Sequence, residues 1–221
     1  YTTLFRSLCG TLSPAALETA NGGLRPDWLP ELHTVFGTEL ATIPAAPRYL
    51  TADPARLAAW EARLGPRRQP RVGLVWSGNP GHRLDRFRSL SYGALKPLLS
   101  DRVECVSLQK ELRPLDKLVL QMDGNVRQFG DWLADFAETA ALVEQMDLVI
   151  TVDTSVAHLA GALGKPVWIL LPSGTLADWR WQMQREDSPW YPKARLYRQE
   201  VAGEWAPVLA RVAADLAVRF G

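Results

Sequence analysis

From Arg71 onward, short apolar runs alternate with stretches of helical spacing. The runs are Val72–Trp76, Val103–Leu108, Val126–Phe129, Leu148–Val152 and Val167–Leu171. Apolar positions recur every three to four residues in Tyr92–Leu99, Phe136–Met146, Ser155–Leu163 and Trp205–Phe220. Apolar runs rich in β-branched residues suit strands buried on both faces. Their alternation with helices predicts an α/β fold, a Rossmann-like doubly wound parallel sheet with right-handed crossovers. In such sheets ligands sit outside the carboxyl ends of the strands. Residues 1–70 lack this rhythm and hold many prolines, scattered apolar residues and one short helical pattern, Pro54 to Leu64. They are expected to form an irregular amino-terminal extension, the remnant of a preceding domain plus a linker ending at Gly65-Pro66-Arg67-Arg68-Gln69-Pro70. Residues 71–221 are expected to form the sheet domain.

The stretch 147–166 says most about chemistry. Leu148 to Val152 reads as a buried strand, and Asp153-Thr154-Ser155 offers small capping side chains. Val156, Leu159, Ala160 and Leu163 then continue at helical spacing, Gly164 ends the helix, and Pro166 opens the next apolar run. A strand turning at once into a helix points backbone N–H groups and a positive helix end at one spot, which suits a phosphate. His158, one turn into the helix, adds a second donor. An ordinary strand–helix joint with Asp153 as its cap would read the same way in isolation.

Composition narrows the class. The 221 residues are 47% hydrophobic and 22% charged with net charge +1, ordinary for a globular protein and without a basic field for nucleic acid. No apolar stretch approaches the roughly 20 residues that span a bilayer, and Tyr1 to Ser7 lacks the plan of a signal peptide. Those seven residues resemble read-through of a sequencing adapter and are not expected to be native. Cys9 and Cys105 are far apart, in no CxxC arrangement, and fit a reducing, cytoplasmic compartment. Cys105, inside an apolar run, reads as a small buried hydrophobe. Five of the nine tryptophans (Trp76, Trp168, Trp179, Trp181, Trp190) lie near strand ends or after residue 171, where such side chains often line ligand surfaces.

Four loops follow strand ends, and each carries polar groups. Ser77-Gly78-Asn79 through Arg86, Arg88 and Ser89 is rich in glycine and arginine, able to approach and fork onto phosphate, but also readable as a solvated basic loop. Gln109 and Lys110 could meet a base, ribose or phosphate, or be plain surface polarity. Gly130-Asp131-Trp132 reads as structural or as offering backbone contacts to a base, and the fourth loop is the Asp153 turn. A further segment, Asp178 to Pro192, is too polar and aromatic for a core and is read as a lid or a partner surface. The histidines (His33, His82, His158) are scattered and no D-x-D pair occurs, so no metal site is expected. The dinucleotide fingerprint, Walker loop and nucleophile elbow are all absent, which argues against a dinucleotide-dependent oxidoreductase.

With these residues in view, the chain resembles the carboxyl-terminal half of a GT-B glycosyltransferase of the heptosyltransferase family, in the branch often fused to tetratricopeptide repeats. The resemblance rests on Val72 to His82 with Asp85-Arg86-Phe87-Arg88-Ser89, on Ser107-Leu108-Gln109-Lys110, on Asp147 through Pro166, and on Asp187-Ser188-Pro189-Trp190-Tyr191-Pro192. It implies a donor-binding half of an inverting, metal-independent transferase that moves a sugar from a nucleotide-diphosphate sugar, its donor substrate rather than a cofactor, to an acceptor hydroxyl. It places Asp153 on donor sugar hydroxyls, Thr154 and Ser155 on the diphosphate, and His158 beside them. Arg88 is placed on the phosphates with Arg86 as second choice, and Gln109 near the nucleoside; Ser77, Gly78, Asn79 and Lys110 complete the substrate-binding set. His158 and Arg88 are the expected catalytic groups. The family's amino-terminal domain, with its acceptor site and general base, has no counterpart here, so the chain reads as a fragment that binds donor without turnover. Asp27, Glu31 and His33 are unsupported as replacements. An exposed cleft face would favour self-association. A non-catalytic nucleotide-binding or interaction module is the alternative.

Overall fold

A computed structural model describes residues 39–43 and 45–221. The expectations placed on residues 1–38, among them Cys9, Asp27, Glu31, His33 and the adapter-like start, lie outside the described residues. Beyond them, the compact unit that carries the sheet runs from Ala45 to Gly221. The segment 45–70, expected as linker, therefore belongs to the sheet's own unit. Within it, α1 (Pro54–Leu64) is capped by the Asp53 carboxylate accepting from Arg56 N. The indole of Trp60, fully buried, donates to Glu138 Oε2 at 2.8 Å.

Strand β1 (Arg71–Val75) is buried along its whole length. The chain then passes through a short helix α2 (Asp85–Arg88) and a 3-10 stretch Tyr92–Leu98 before β2 (Glu104–Ser107). A helix was expected at Tyr92–Leu99. Pro97 lies inside it, and proline removes a helical donor and crowds the preceding turn, so the tighter 3-10 form takes its place. Next come α3 (Pro114–Asp123), β3 (Val126–Arg127), α4 (Phe136–Glu144) and β4 (Leu148–Val152). The chain closes with α5 (Ser155–Ala162), β5 (Val167–Leu171), β6 (Ala194–Arg198) and α6 (Ala206–Phe220). Sequence reading missed α3 and β6 and foresaw the other strands.

The six strands run in the order β3-β2-β1-β4-β5-β6, all parallel. This is a doubly wound sheet whose order reverses between β1 and β4. Alternate strand residues feed two cores. Val75, Val149, Ile169 and Leu196 face α1, α4 and α5; Leu74, Ile150, Trp168 and Tyr197 face α6 and the Tyr92–Leu98 stretch. Cys105 is buried in β2, where burial pushes its thiol up to about 11, consistent with a packing role. Trp76 and Trp168, both near strand ends, are core residues; for Trp168 core packing is as good a reading of the sequence as a ligand surface. Gly164 ends α5 in the left-handed region (φ 68°), as foreseen, and its missing side chain is also required because a Cβ would stand 2.4 Å from the Pro47 carbonyl oxygen. Among the described residues no helix is long and apolar enough to cross a membrane.

Candidate functional site at the strand switch

Strand order reverses between β1 and β4, and it is outside the carboxyl ends of strands at such a switch that doubly wound sheets bind ligands. The β1 loop is pinned from within. Ser89 Oγ donates to buried Asp85 Oδ1 at 2.7 Å and accepts from Gly78 N at 2.9 Å, while Arg113 pairs with the other Asp85 oxygen. Arg88 then links the β1 loop to the β4 turn: its Nη1 donates to the Asp153 carbonyl at 2.7 Å. Its guanidinium lies over Gly78, where a Cβ would come within 2.7 Å of Nη2 and push the guanidinium aside. Arg88 Nε is buried without a hydrogen-bond partner, 3.7 Å from Asp85 Oδ1. The unbonded Nε thus faces the Asp85 carboxylate, while Nη1 holds the β4 turn.

That turn differs from the expected cap. The N-cap of α5 is Thr154, whose side chain makes no cap hydrogen bond; its Oγ1 lies 3.2 Å from Thr151 Oγ1 instead. The Asp153 carboxylate, buried, turns away from the helix start. Its Oδ1 accepts from the Trp181 indole at 2.9 Å, and Oδ2 has only a long 3.4 Å contact with Asp178 N. The first-turn donors of α5 are therefore left without a side-chain cap, with half-buried Ser155 at the first helical position. Uncapped N–H groups and the positive helix end favour an anion there.

His158 is buried under the segment after β5. Its ring stacks on Trp181 (4.9 Å between centroids, 15° between planes) and its Nδ1 is 3.0 Å from the Tyr191 hydroxyl. Burial holds the imidazole below its ordinary range; Asp153 and Asp178 pull upward and Arg180 downward. His158 is a neutral group at pH 7. Because the folded value lies below the unfolded value of 6.5, its contribution to stability is complete above 6.5 and falls as pH drops below it. The expected slope is up to ~1.4 kcal/mol per pH unit. Urea melts on either side of that value should show it, and His158→Gln should flatten it; an unchanged slope in the variant would place the proton uptake elsewhere.

The remaining expected site residues divide. Ser77 and Gln109 form one buried tie: Gln109 Oε1 accepts from Trp76 N and Ser77 N at 2.8 Å each, and its Nε2 donates to Ser77 Oγ at 2.9 Å and Glu111 O at 3.0 Å. With both acceptor and both donor positions filled, Gln109 fixes the loop and has no amide group left for a nucleoside. Asn79 is exposed and closes a turn by accepting from Gly81 N, while Arg86 is exposed over the Phe87 ring. Lys110 Nζ reaches the Ala134 carbonyl at 3.1 Å, toward the β3 side. Neither Asn79, Arg86 nor Lys110 joins the cluster of Arg88, Asp153, Ser155 and His158.

Segment 178–192 corrects the sequence reading. Trp181 is fully buried and Tyr191 nearly so, both in the core on the α5 face. Sequence reasoning missed Trp181, Tyr191 and Asp85 as site residues. The aromatic spacing was visible, but aromatics among charges read as surface. Among the described residues no group of three or more His, Cys, Asp or Glu could hold a metal. A cavity of about 270 Å³ lies elsewhere, between β6 and α6, lined by Glu186, Arg195, Tyr197, Arg211 and Asp215, and shares no residue with the cluster around Arg88 and Asp153.

Part of this region matches a known family. Residues 134–173, covering α4, β4, α5 and β5, match the family model described as glycosyltransferase family 9 (heptosyltransferase). Protein FlbA of Caulobacter vibrioides is 33% identical over 199 residues, 86% of this chain and 32% of the relative. The structure of E. coli ADP-heptose lps heptosyltransferase II superposes with a TM-score of 0.50 at 17% identity, over 78% of this chain and 54% of that one. That likeness establishes the fold. The glycosyl transferase family 9 structure from Veillonella parvula gives a TM-score of 0.45 at 14% identity, over 68% and 42% of the two chains. The chain thus spans about a third of the curated relative and about half of the heptosyltransferase structure.

Proposed function

Taking the match of residues 134–173 to glycosyltransferase family 9 as the premise, we propose that this unit is the donor-binding half of an inverting, metal-independent glycosyltransferase. The observation that carries the reading is the bridge from Arg88 to the Asp153 carbonyl across the strand switch. It sets a guanidinium beside the uncapped start of α5, the place and charge a diphosphate needs. Thr154 and Ser155 supply hydroxyls and N–H groups to the same anion. Asp153 Oδ2, with its single long contact, accepts from a sugar hydroxyl. Ser77 and Gly78 present the loop; Gln109 serves by holding Ser77.

In the reaction an acceptor oxygen attacks the anomeric carbon from the face opposite the leaving group. The bond from that carbon to the diphosphate oxygen breaks, and the diphosphate departs with the electron pair. Arg88 and the α5 end stabilise the charge that develops there, commonly the largest catalytic contribution. The acceptor's proton goes to a base contributed from outside the described residues.

Calorimetry with ADP and UDP tests the reading. Arg88→Ala should weaken binding by about 1.5–3 kcal/mol, the scale of a hydrogen bond to a charged group. Arg67→Ala is the control. Arg67 pairs with Asp147 just before β4, at the opposite edge of the sheet, so its loss should lower thermal stability modestly and leave affinity unchanged. Chelator should change nothing. Equal losses from both arginines, or affinity restored only by magnesium, would contradict the proposal; binding without sugar transfer by a longer protein carrying this unit would favour a nucleotide-binding module.

A further inference from the structure

Tyr191 meets His158 Nδ1 at 3.0 Å, and the direction of that hydrogen bond decides what the imidazole can do. A phenol O–H is a stronger donor than a neutral imidazole N–H, and an imidazole lone pair a stronger acceptor than a phenol oxygen. The bond therefore runs from Tyr191 to His158. Tyr49, whose buried hydroxyl makes no hydrogen bond among the described residues, packs against the same core and is held by its segment, where Tyr49 N and Leu50 N both donate to the Ala162 carbonyl at the end of α5.

The seat for Tyr191 is built into α5. A Cβ at Gly161 would come within 2.4 Å of the Tyr191 ring, so only glycine admits the tyrosine there. A glycine inside a helix is less favourable than alanine, and the seat for the Tyr191 ring is what it provides. Trp181 stacks on the same imidazole and holds its plane.

We propose that Tyr191 is a positioning residue that locks His158 in the Nε2–H tautomer, so that the ring offers a neutral N–H donor, not a base, beside Asp153. Among the described residues the ring is hydrogen-bonded through Nδ1 alone. That this N–H serves the diphosphate or sugar rests on the functional reading above; the tautomer itself does not.

The test is a long-range proton–nitrogen NMR correlation of the 15N-labelled chain near neutral pH, with His158 assigned through His158→Gln. The wild type should show the proton on Nε2 alone. Tyr191→Phe keeps the ring on Gly161 and should release the lock, giving both tautomers, and Gly161→Ala should do the same by displacing the hydroxyl. ADP affinity should fall about fivefold in Tyr191→Phe, the effect of one neutral hydrogen bond of ~1 kcal/mol. A proton on Nδ1 in the wild type would overturn the inference, as would an unchanged tautomer in Tyr191→Phe. If the tautomers shift as expected and no nucleotide binds, the functional reading fails and the lock stands.

Discussion

Trp181→Ala is expected to cost about 3–5 kcal/mol of folding stability, the range for emptying a buried tryptophan site. The same change should bring ADP binding below detection. The indole is fully buried in the core on the α5 face, stacked on His158 and hydrogen-bonded to Asp153 Oδ1. Its removal leaves a cavity beneath the site and a buried carboxylate short of a donor. Trp181→Phe separates the two effects: the ring stack survives, and the loss of one hydrogen bond to a charged acceptor should cost about 1.5–3 kcal/mol. Urea melts read both numbers. A loss under ~1 kcal/mol for the alanine variant would show that segment 178–192 covers the site without being part of the core.

Asp116→Ala is the second large effect, at about 2–5 kcal/mol, because two buried donors lose a charged acceptor and remain unsatisfied. Asp116 accepts from Trp76 Nε1 at 2.9 Å and from Tyr92 N at 2.8 Å, and all three residues are buried. The carboxylate ties α3 to both ends of the loop that carries Arg88. Thermal melts should show the loss of stability, and affinity for ADP should drop although Asp116 lies outside the proposed contact set. Asp116→Asn should fall between, since the amide oxygen can still accept while its NH₂ faces a second donor. A stable variant with weakened binding would mean that the tie positions the loop without holding the core.

Legibility in the sequence followed how local each cause is. Four of the six strands announced themselves as β-branched runs buried on both faces, and β3 as a short apolar patch. β6 went unread because its edge position exposes Arg195 between Ala194 and Leu196, which breaks the run. α3 was missed despite Pro114 at its first turn and Gly124 at its end, since Leu115, Leu118 and Met122 face outward and blur the amphipathic pattern. The Asp153 turn was legible as a strand meeting a helix. What the Asp153 carboxylate does was not, because its partner Trp181 lies 28 residues on and depends on how the chain returns over α5. Gln109 shows the same limit: the side chain reads as a ligand contact, and only the spatial meeting of β1 and β2 reveals that all its hydrogen bonds are spent within the fold.

A crystal structure of the chain soaked with ADP tests the central claim most directly. The diphosphate is expected at the carboxyl edge of the sheet between β1 and β4, against Ser155 and the first-turn N–H groups of α5, with the Arg88 guanidinium on a phosphate oxygen. A diphosphate at the opposite sheet edge, beside Arg67 and Asp147, or in the cavity between β6 and α6 would contradict it.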